Sequence, residues 1–184
     1  MSDINPLKDE QLSPYIGQDF LTWLWFHIER SGGEITTSHN EIFALSMEQR
    51  VSVQGGEGES KDTAVCSGPR SELREARLGL MTGKKVNQAR LKLEQDSEAW
   101  QVQLRAEDFA MTGLKTPKVE TKLEEGDDPD APFLEKMYLL ERCLQVVDEL
   151  FGKFLRLRLS EGWAEEQRAL REWVQSDLPP ANPT

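Results

Sequence analysis

The chain has 184 residues, of which 38% are hydrophobic and 30% are charged, and its acidic side chains outnumber the basic ones 33 to 22. This composition excludes a fibrous chain and a wholly disordered one, and the formal charge of -11 argues against a protein that coats nucleic acid with its whole surface. The longest apolar stretch, residues 20–28, is much shorter than the roughly 20 residues of a membrane-spanning helix. The polar start of the chain lacks the pattern of an export signal, so we expect a cytoplasmic protein.

The first predicted element is a helix over residues 15–30. Its apolar side chains recur at intervals of three and four residues, and residues 32–33, both glycine, supply a stop. Leu21, Trp25 and Ile28 widen the apolar stripe beyond one face. We therefore expect this helix to be covered on two sides, by a sheet and by a second element or subunit.

The next segments predict a small antiparallel meander. Residues 41–47, 50–53 and 63–66 are short β-prone runs separated by turn residues. The polar, glycine-rich link 54–62 is typical of a hairpin tip. It lacks the GK[ST] ending of a phosphate-binding loop and carries acids that would repel a phosphate, so we interpret it as a turn.

A helix and a strand pair are predicted downstream. Ser71 is a candidate N-cap for a helix that runs to about residue 81, with Gly83 as its stop. Apolar and polar residues then alternate over 89–93 and 100–105, which predicts two strands with one buried face and one wet face. A third strand or irregular edge is predicted over 109–114.

An acidic stretch separates the predicted sheet from the last helices. Residues 120–130 carry six carboxylates together with a glycine and a proline, which is typical of a solvated linker. The acids lack the alternating ligand spacing and central glycine of a calcium loop, so we predict no metal site.

The longest predicted helix begins at Pro132 and carries seven apolar residues at strict 4-3-4-3-4-3 spacing, an a/d seam of three heptads. The seam residues are Phe133, Met137, Leu140, Leu144, Val147, Phe151 and Phe154. They predict burial against the chain's own sheet or first helix, or against a symmetric copy, and the sequence leaves both open. A last helix is predicted over 160–175. We expect one domain over 15–176, between a flexible segment 1–14 and a disordered tail 177–184.

Catalysis has little support in the sequence. The two histidines, His27 and His39, have no nucleophile motif beside them, and Cys66 and Cys143 are too isolated for a zinc site or a disulfide framework. Acid pairs, such as the one at residues 107–108, lie in polar contexts that predict no raised pKa. We therefore predict a non-catalytic protein without a cofactor.

The distribution of charge is more informative than its total. Residues 70–92 hold seven cations and two anions, a balance of +5, so the rest of the chain carries -16. These cations fall on one helix face, the following turn and the wet face of the next strand: Arg70, Arg74, Arg77, Lys84, Lys85, Arg90 and Lys92. Such a patch binds phosphates without reading sequence. The alternative is a solvated face that acids elsewhere in the fold neutralise.

The order of these features resembles the C-terminal half of the recombination-associated protein RdgC family. The likeness rests on short motifs: Leu21-Thr22-Trp23-Leu24, the charged helix from Glu72, Gly83-Lys84-Lys85-Val86, the strand pair through Ala89, Leu91, Trp100 and Leu104, Leu114-Lys115, and the acidic stretch 127–130 before Phe133. The resemblance implies a dimeric ring around duplex DNA, without sequence preference, that restrains RecA-driven recombination. It also implies phosphate contacts by Lys84 and Lys85, with Arg90 and Lys92 on the next strand.

The sequence as a whole thus predicts an α+β fold in which a Trp-rich N-terminal helix and a long C-terminal helix pack on an antiparallel sheet. The predicted function is non-catalytic binding of duplex DNA that modulates RecA-dependent recombination, by a homo-oligomer or with a separately encoded RdgC-like partner. The predicted DNA-binding residues are Lys84, Lys85, Arg90, Lys92, Arg74 and Arg77. Two alternatives remain: a protein-interaction or oligomerisation module that uses the heptad seam, and an acidic DNA mimic.

Overall fold

The computed structural model describes residues 14–55, 62–67, 73–122 and 124–176, and for residues 14–15, 48–52, 54–55, 62–67 and 73–75 it describes the backbone alone. The chain alternates between helices and strands in the order α1 (Pro14–Arg30), β1 (Glu34–Thr36), β2 (Ile42–Gly55), β3 (Asp62–Ser67), α2 (Leu73–Met81), β4 (Lys85–Gln95), β5 (Glu98–Arg105), β6 (Met111–Lys115), α3 (Ala131–Arg158) and α4 (Trp163–Gln175). The α+β prediction is confirmed. The predicted flexible segment and tail lie outside the described residues.

The six strands form one antiparallel sheet in the order β1-β2-β4-β5-β6, and β3 pairs with the end of β2. The prediction of separate strands at 41–47 and 50–53 is wrong, because β2 runs through both. A register shift between Glu48 and Val51 absorbs the irregular stretch, so the pairing with β4 resumes beyond it. Strand β1 was not predicted, since a strand of three residues is too short to show alternation.

The predicted alternation on β4 and β5 is confirmed. Ala89, Leu91 and Leu93 of β4 are buried, and they stand opposite Leu104, Val102 and Trp100 of β5 in the register. Because neighbouring side chains along a strand point to opposite faces, the polar residues between them line the other side of the sheet. The sheet therefore has a buried inner face and a polar outer face.

Helix α1 lies at the centre of the hydrophobic core. Thr22 accepts a hydrogen bond from the Val86 backbone N–H of β4 (3.0 Å), which fixes the helix on the sheet. On its other side, the indole N–H of Trp23 donates to Glu166 of α4 (2.8 Å), and the ring of Trp25 meets Trp173 of α4 edge to face, 5.5 Å away. The prediction that this helix is covered on two sides is confirmed, and the second cover is formed by α3 and α4 of the same chain.

The predicted glycine stop after α1 has a defined backbone role. Gly33 has a φ of +83°, and its N–H donates to the Ile28 carbonyl (2.8 Å) while its own carbonyl accepts from the Leu45 N–H (2.6 Å). A side chain would be strained at this φ, and its Cβ would lie 2.8 Å from the Leu45 oxygen. Glycine therefore permits the sharp turn that brings β1 beside β2.

Helix α3 buries one stripe against the rest of the molecule. Its buried residues are Leu139, Cys143, Val146, Val147, Leu150 and Phe154. Only two residues of the predicted heptad seam, Val147 and Phe154, belong to this set, whereas Phe133, Met137 and Leu144 are exposed. The seam thus packs on the chain's own core toward its C-terminal end, and no described residue covers it toward its N-terminal end. Within the described residues, no helix has the length and apolar character needed to cross a bilayer.

Candidate nucleic-acid interface

The outer face of the sheet, which we call the open sheet face, carries cations, the carboxylate of Glu94 and neutral polar groups. Its side chains come from four neighbouring strands and include Ser46, Arg90, Lys92, Gln101, Gln103, Thr112 and Lys115. The described helices pack on the inner face: Trp100 donates to the Leu139 carbonyl of α3, and Val53 of β2 lies beneath Gly79 of α2. The open sheet face is thus not covered by any described helix.

The strand register arranges these groups in rows. Lys92 of β4, Gln101 of β5 and Lys115 of β6 are consecutive partners across the sheet. Because adjacent strands lie about 4.8 Å apart, the backbones of the two lysines are separated by about 10 Å. A second row places Gln103 beside Arg90, with Glu48 of β2 on the other side of the arginine. Two cations of β4 and one of β6 therefore face the same way.

Lys92 already has a carboxylate partner on this face. Its Nζ lies 2.5 Å from Glu94, and both side chains are partly exposed, at 34% and 46%. An ion pair of this exposure contributes little free energy, because water and salt screen it and holding two flexible side chains costs entropy. A phosphate that approaches the sheet can therefore compete with Glu94 for the lysine.

The basic turn before β4 lies elsewhere. Lys85 forms an ion pair with Asp19 of α1, and the same carboxylate lies 3.6 Å from the guanidinium of Arg158. Lys85 is thus turned toward the helical layer, away from Arg90 and Lys92. Lys84 is half-buried, and its Cδ packs near Gly79. The structure therefore separates the turn from the open sheet face, although the sequence places them only five residues apart.

The arginines of α2 do not extend the open sheet face either. Arg77 donates to the Trp173 backbone carbonyl (2.5 Å) and to Ser176 (3.1 Å), and its guanidinium lies 4.7 Å from the Trp173 ring centroid. These contacts fasten α2 to α4. The side chain of Arg74 and all of Arg70 lie outside the described residues. Of the six predicted DNA-binding residues, the structure brings together Arg90 and Lys92.

Two further cations near this face were not predicted as binding residues. Lys115 is exposed on β6, and Arg105 at the end of β5 is exposed and paired with Asp108. The polar half of the alternation on β5 already indicates that Gln101, Gln103 and Arg105 share the wet face. No sequence signal aligns Lys115 with Lys92, because the register between β5 and β6 contains an irregularity.

The titratable groups considered for catalysis have ordinary structural partners. The hydrogen bond from Arg105 lowers the pKa of Asp108 to about 2, so this carboxylate is a poor proton donor. Glu29 accepts the indole N–H groups of Trp25 (2.8 Å) and Trp173 (3.0 Å). Burial raises the pKa of the free Cys143 thiol to about 11, which suppresses the reactive thiolate.

His27 is enclosed between three helices. Its ring stacks on Trp23, with 4.7 Å between centroids, and its Nε2 lies 3.3 Å from the ammonium of Lys153. Burial lowers its pKa from 6.5 to about 4; Lys153 and Arg30 act in the same direction, and Glu166 acts in the opposite one. The Nδ1 atom is buried and has no hydrogen-bond partner in the described part of the chain. The folded protein therefore holds this imidazole neutral near pH 7.

This environment predicts a loss of stability in mild acid. The unfolded chain binds a proton at His27 below about pH 6.5, whereas the folded chain resists protonation until about pH 4. The free energy of unfolding should thus fall as the pH falls through this window. A His27→Phe variant keeps a ring on Trp23 without a titrating group, so its free energy of unfolding should fall less than that of the native chain. Urea unfolding at several pH values measures the difference. The exposed His39 is the control: a pH dependence that His39→Gln reduces as much as His27→Phe would contradict the assignment.

Comparisons with known proteins return no match to this chain. No family model fits the sequence, and neither a curated protein nor a solved structure is significantly similar to it.

Proposed function

We propose that this protein is a non-catalytic DNA-binding protein that holds the phosphate backbone of duplex DNA on its open sheet face. The observation that carries the proposal is the placement of Arg90, Lys92 and Lys115 on the sheet face that no described helix covers, in a molecule with a formal charge of -11. Asp19, which pairs with Lys85, and Glu29, which lies 3.9 Å from Arg77, are on the helical side of the sheet. The cations of the open sheet face thus lie on the opposite side of the sheet from these two carboxylates, although Glu94 shares the face with Lys92.

The chemistry of this face fits the backbone better than the bases. Lysine and arginine neutralise phosphates, and amide and hydroxyl groups such as Gln101, Gln103 and Thr112 add hydrogen bonds to phosphate and sugar oxygens. The named side chains of the face include no aromatic ring on which an unpaired base would stack. We therefore expect binding of duplex DNA without sequence preference and with strong dependence on salt.

The acidic remainder restricts how DNA approaches. Carboxylates elsewhere on the surface repel a polyanion, which favours the approach of a duplex toward the open sheet face. The protein should therefore bind a duplex weakly and in one orientation, and not with its whole surface. Through its resemblance to RdgC, we propose that occupancy of the duplex obstructs growth of recombinase filaments, and that a homo-oligomer or a separately encoded RdgC-like partner completes the assembly.

Charge reversal on β4 tests the proposal. An Arg90→Glu/Lys92→Glu variant should bind a labelled duplex at least about tenfold more weakly, because it removes two cations and adds two repulsive charges. Fluorescence anisotropy at low salt measures the affinity. The matched control is Arg168→Glu/Arg171→Glu, which makes the same change of net charge at exposed positions of α4.

The pair of variants separates a local site from a global effect of charge. Equal losses in both variants would indicate that net charge alone controls binding, and unchanged binding by the β4 variant would reject the open sheet face. Circular dichroism of each variant establishes that the fold is retained.

A further inference from the structure

The N-terminal half of α3 presents an apolar surface that the described part of the chain leaves uncovered. Phe133 and Leu134 are 65% and 58% exposed, and Met137, Tyr138 and Leu144 also rank among the exposed large apolar residues. Every residue over 133–138 is exposed, and burial of the helix begins at Leu139. We call Phe133, Met137, Leu140 and Leu144, with the adjacent Leu134 and Tyr138, the α3 stripe.

The α3 stripe has the spacing that another helix requires. Its four central residues follow each other at intervals of four, three and four, the a/d pattern whose 3.5-residue period keeps a seam facing a helical partner. Over these residues α3 rises about 16 Å, or three turns. An exposed apolar row of this length on a well-formed helix is typical of a helix-docking surface.

Acidic side chains beside the α3 stripe indicate that a bound helix would be positively charged. Glu141 and Asp148 directly follow the seam residues Leu140 and Val147 and thus occupy e positions that flank a bound helix. Both are exposed, and neither has an ion-pair partner in the part of the chain that the structure describes. Residues 127–148 contain six carboxylates and two cations, one of which, Arg142, is bound to Glu41.

A second copy of this chain fits the α3 stripe poorly. In an antiparallel pair the e positions face each other, which would oppose Glu141 and Asp148 to their equivalents at a cost in free energy. In a parallel pair they face g positions, where the chain offers Lys136, whose ammonium already contacts Thr116, and the buried Cys143. A helix with cations on its flanks satisfies the same acids.

We propose that the α3 stripe docks a basic amphipathic helix of a partner protein, with apolar side chains on the stripe and lysine or arginine beside Glu141 and Asp148. This inference is independent of DNA binding, because it uses α3 and not the open sheet face. The exposed part of the heptad seam is then the binding surface for a partner helix whose positive charge is opposite to that of Glu141 and Asp148.

A pair of synthetic helices tests this assignment. One labelled peptide carries leucine at its a and d positions and lysine at e and g; the matched peptide carries glutamate at e and g. The lysine peptide should bind the full chain, and Met137→Glu/Leu144→Glu should weaken binding at least about tenfold, because charges replace two apolar contacts. Leu159→Glu, at an exposed leucine outside the stripe, should leave binding unchanged.

A charge exchange makes the test specific. Glu141→Lys/Asp148→Lys should weaken the lysine peptide and strengthen the glutamate peptide. Three results would each overturn the proposal: the lysine peptide fails to bind, both peptides bind the native chain equally, or Met137→Glu/Leu144→Glu leaves the binding unchanged. Sedimentation gives a further overturning outcome: a dimer of the native chain that the same double substitution converts to a monomer would assign the stripe to a second copy.

Discussion

A Gly17→Ala variant is expected to be destabilised by about 2 kcal/mol or more, although alanine has a higher helix propensity than glycine. Gly17 is buried in the first turns of α1, and a Cβ built there would lie 1.9 Å from the backbone oxygen of Ala106 and 2.9 Å from its Cα. Backbone atoms at the end of β5 cannot move aside as a flexible side chain does. The helix must therefore shift away from the sheet, and its core contacts with β4 weaken.

Gly152 supplies the matched control for Gly17→Ala. It also lies inside a helix, α3, but the nearest atom to its built Cβ is the side-chain Nη1 of Arg156, 3.4 Å away. Gly152→Ala should stabilise the protein by about 0.5–1 kcal/mol, because alanine loses less conformational freedom on folding. Urea unfolding measures both variants. Effects of the same sign would contradict the close approach of α1 to β5.

The second large effect is expected at Trp100. This side chain is 1% exposed, its ring centroid lies 6.0 Å from that of Phe43, and its indole N–H donates to the Leu139 carbonyl of α3 (2.9 Å). Trp100→Ala should cost about 3–5 kcal/mol, because it leaves a cavity between the sheet and α3. Trp100→Phe keeps a ring in place and removes the hydrogen bond, so it should cost about 1–2 kcal/mol.

Thermal and urea unfolding of the two Trp100 variants distinguish packing from hydrogen bonding. A much larger loss in the alanine variant indicates that the buried ring volume dominates. Equal losses would show that the hydrogen bond to α3 is the principal contribution, contrary to the expectation.

The sequence predicted the central strands well because their pattern is set by burial on one face only. Leu91 and Leu93 alternate with Arg90 and Lys92, and that alternation is a direct consequence of a sheet with one wet face. The open sheet face was predictable to the same extent. The continuity of β2 was not, because its bulge interrupts the two-residue period on which the prediction depends.

The direction in which Lys85 of the basic turn points depends on a long-range contact. The partner of Lys85 is Asp19, 66 residues earlier in the chain, and no local spacing rule connects them. The same reasoning applies to Arg77, whose contacts with Trp173 and Ser176 join distant segments. The clustering of cations in the sequence therefore predicted a cationic region. It did not predict that these cations are divided between the two sides of the sheet.

The long helix shows how periodicity identifies a helix without identifying its buried side. Leu139, Cys143, Val146 and Leu150 recur at intervals of four, three and four, the same spacing as the predicted seam. The two stripes are adjacent on one helix, and only packing decides which one the core covers. The core covers the stripe through Leu139, so the N-terminal part of the predicted seam stays exposed among the residues that the structure describes.

The salt dependence of duplex binding tests the role of the open sheet face most directly. Each cation that neutralises a phosphate contributes about 0.9 to the slope of log affinity against log salt concentration. For an Arg90→Gln/Lys92→Gln variant, in which both positions are neutral, we expect a slope shallower by about 2 than that of the native chain. A slope that the two substitutions leave unchanged would contradict phosphate binding at this face.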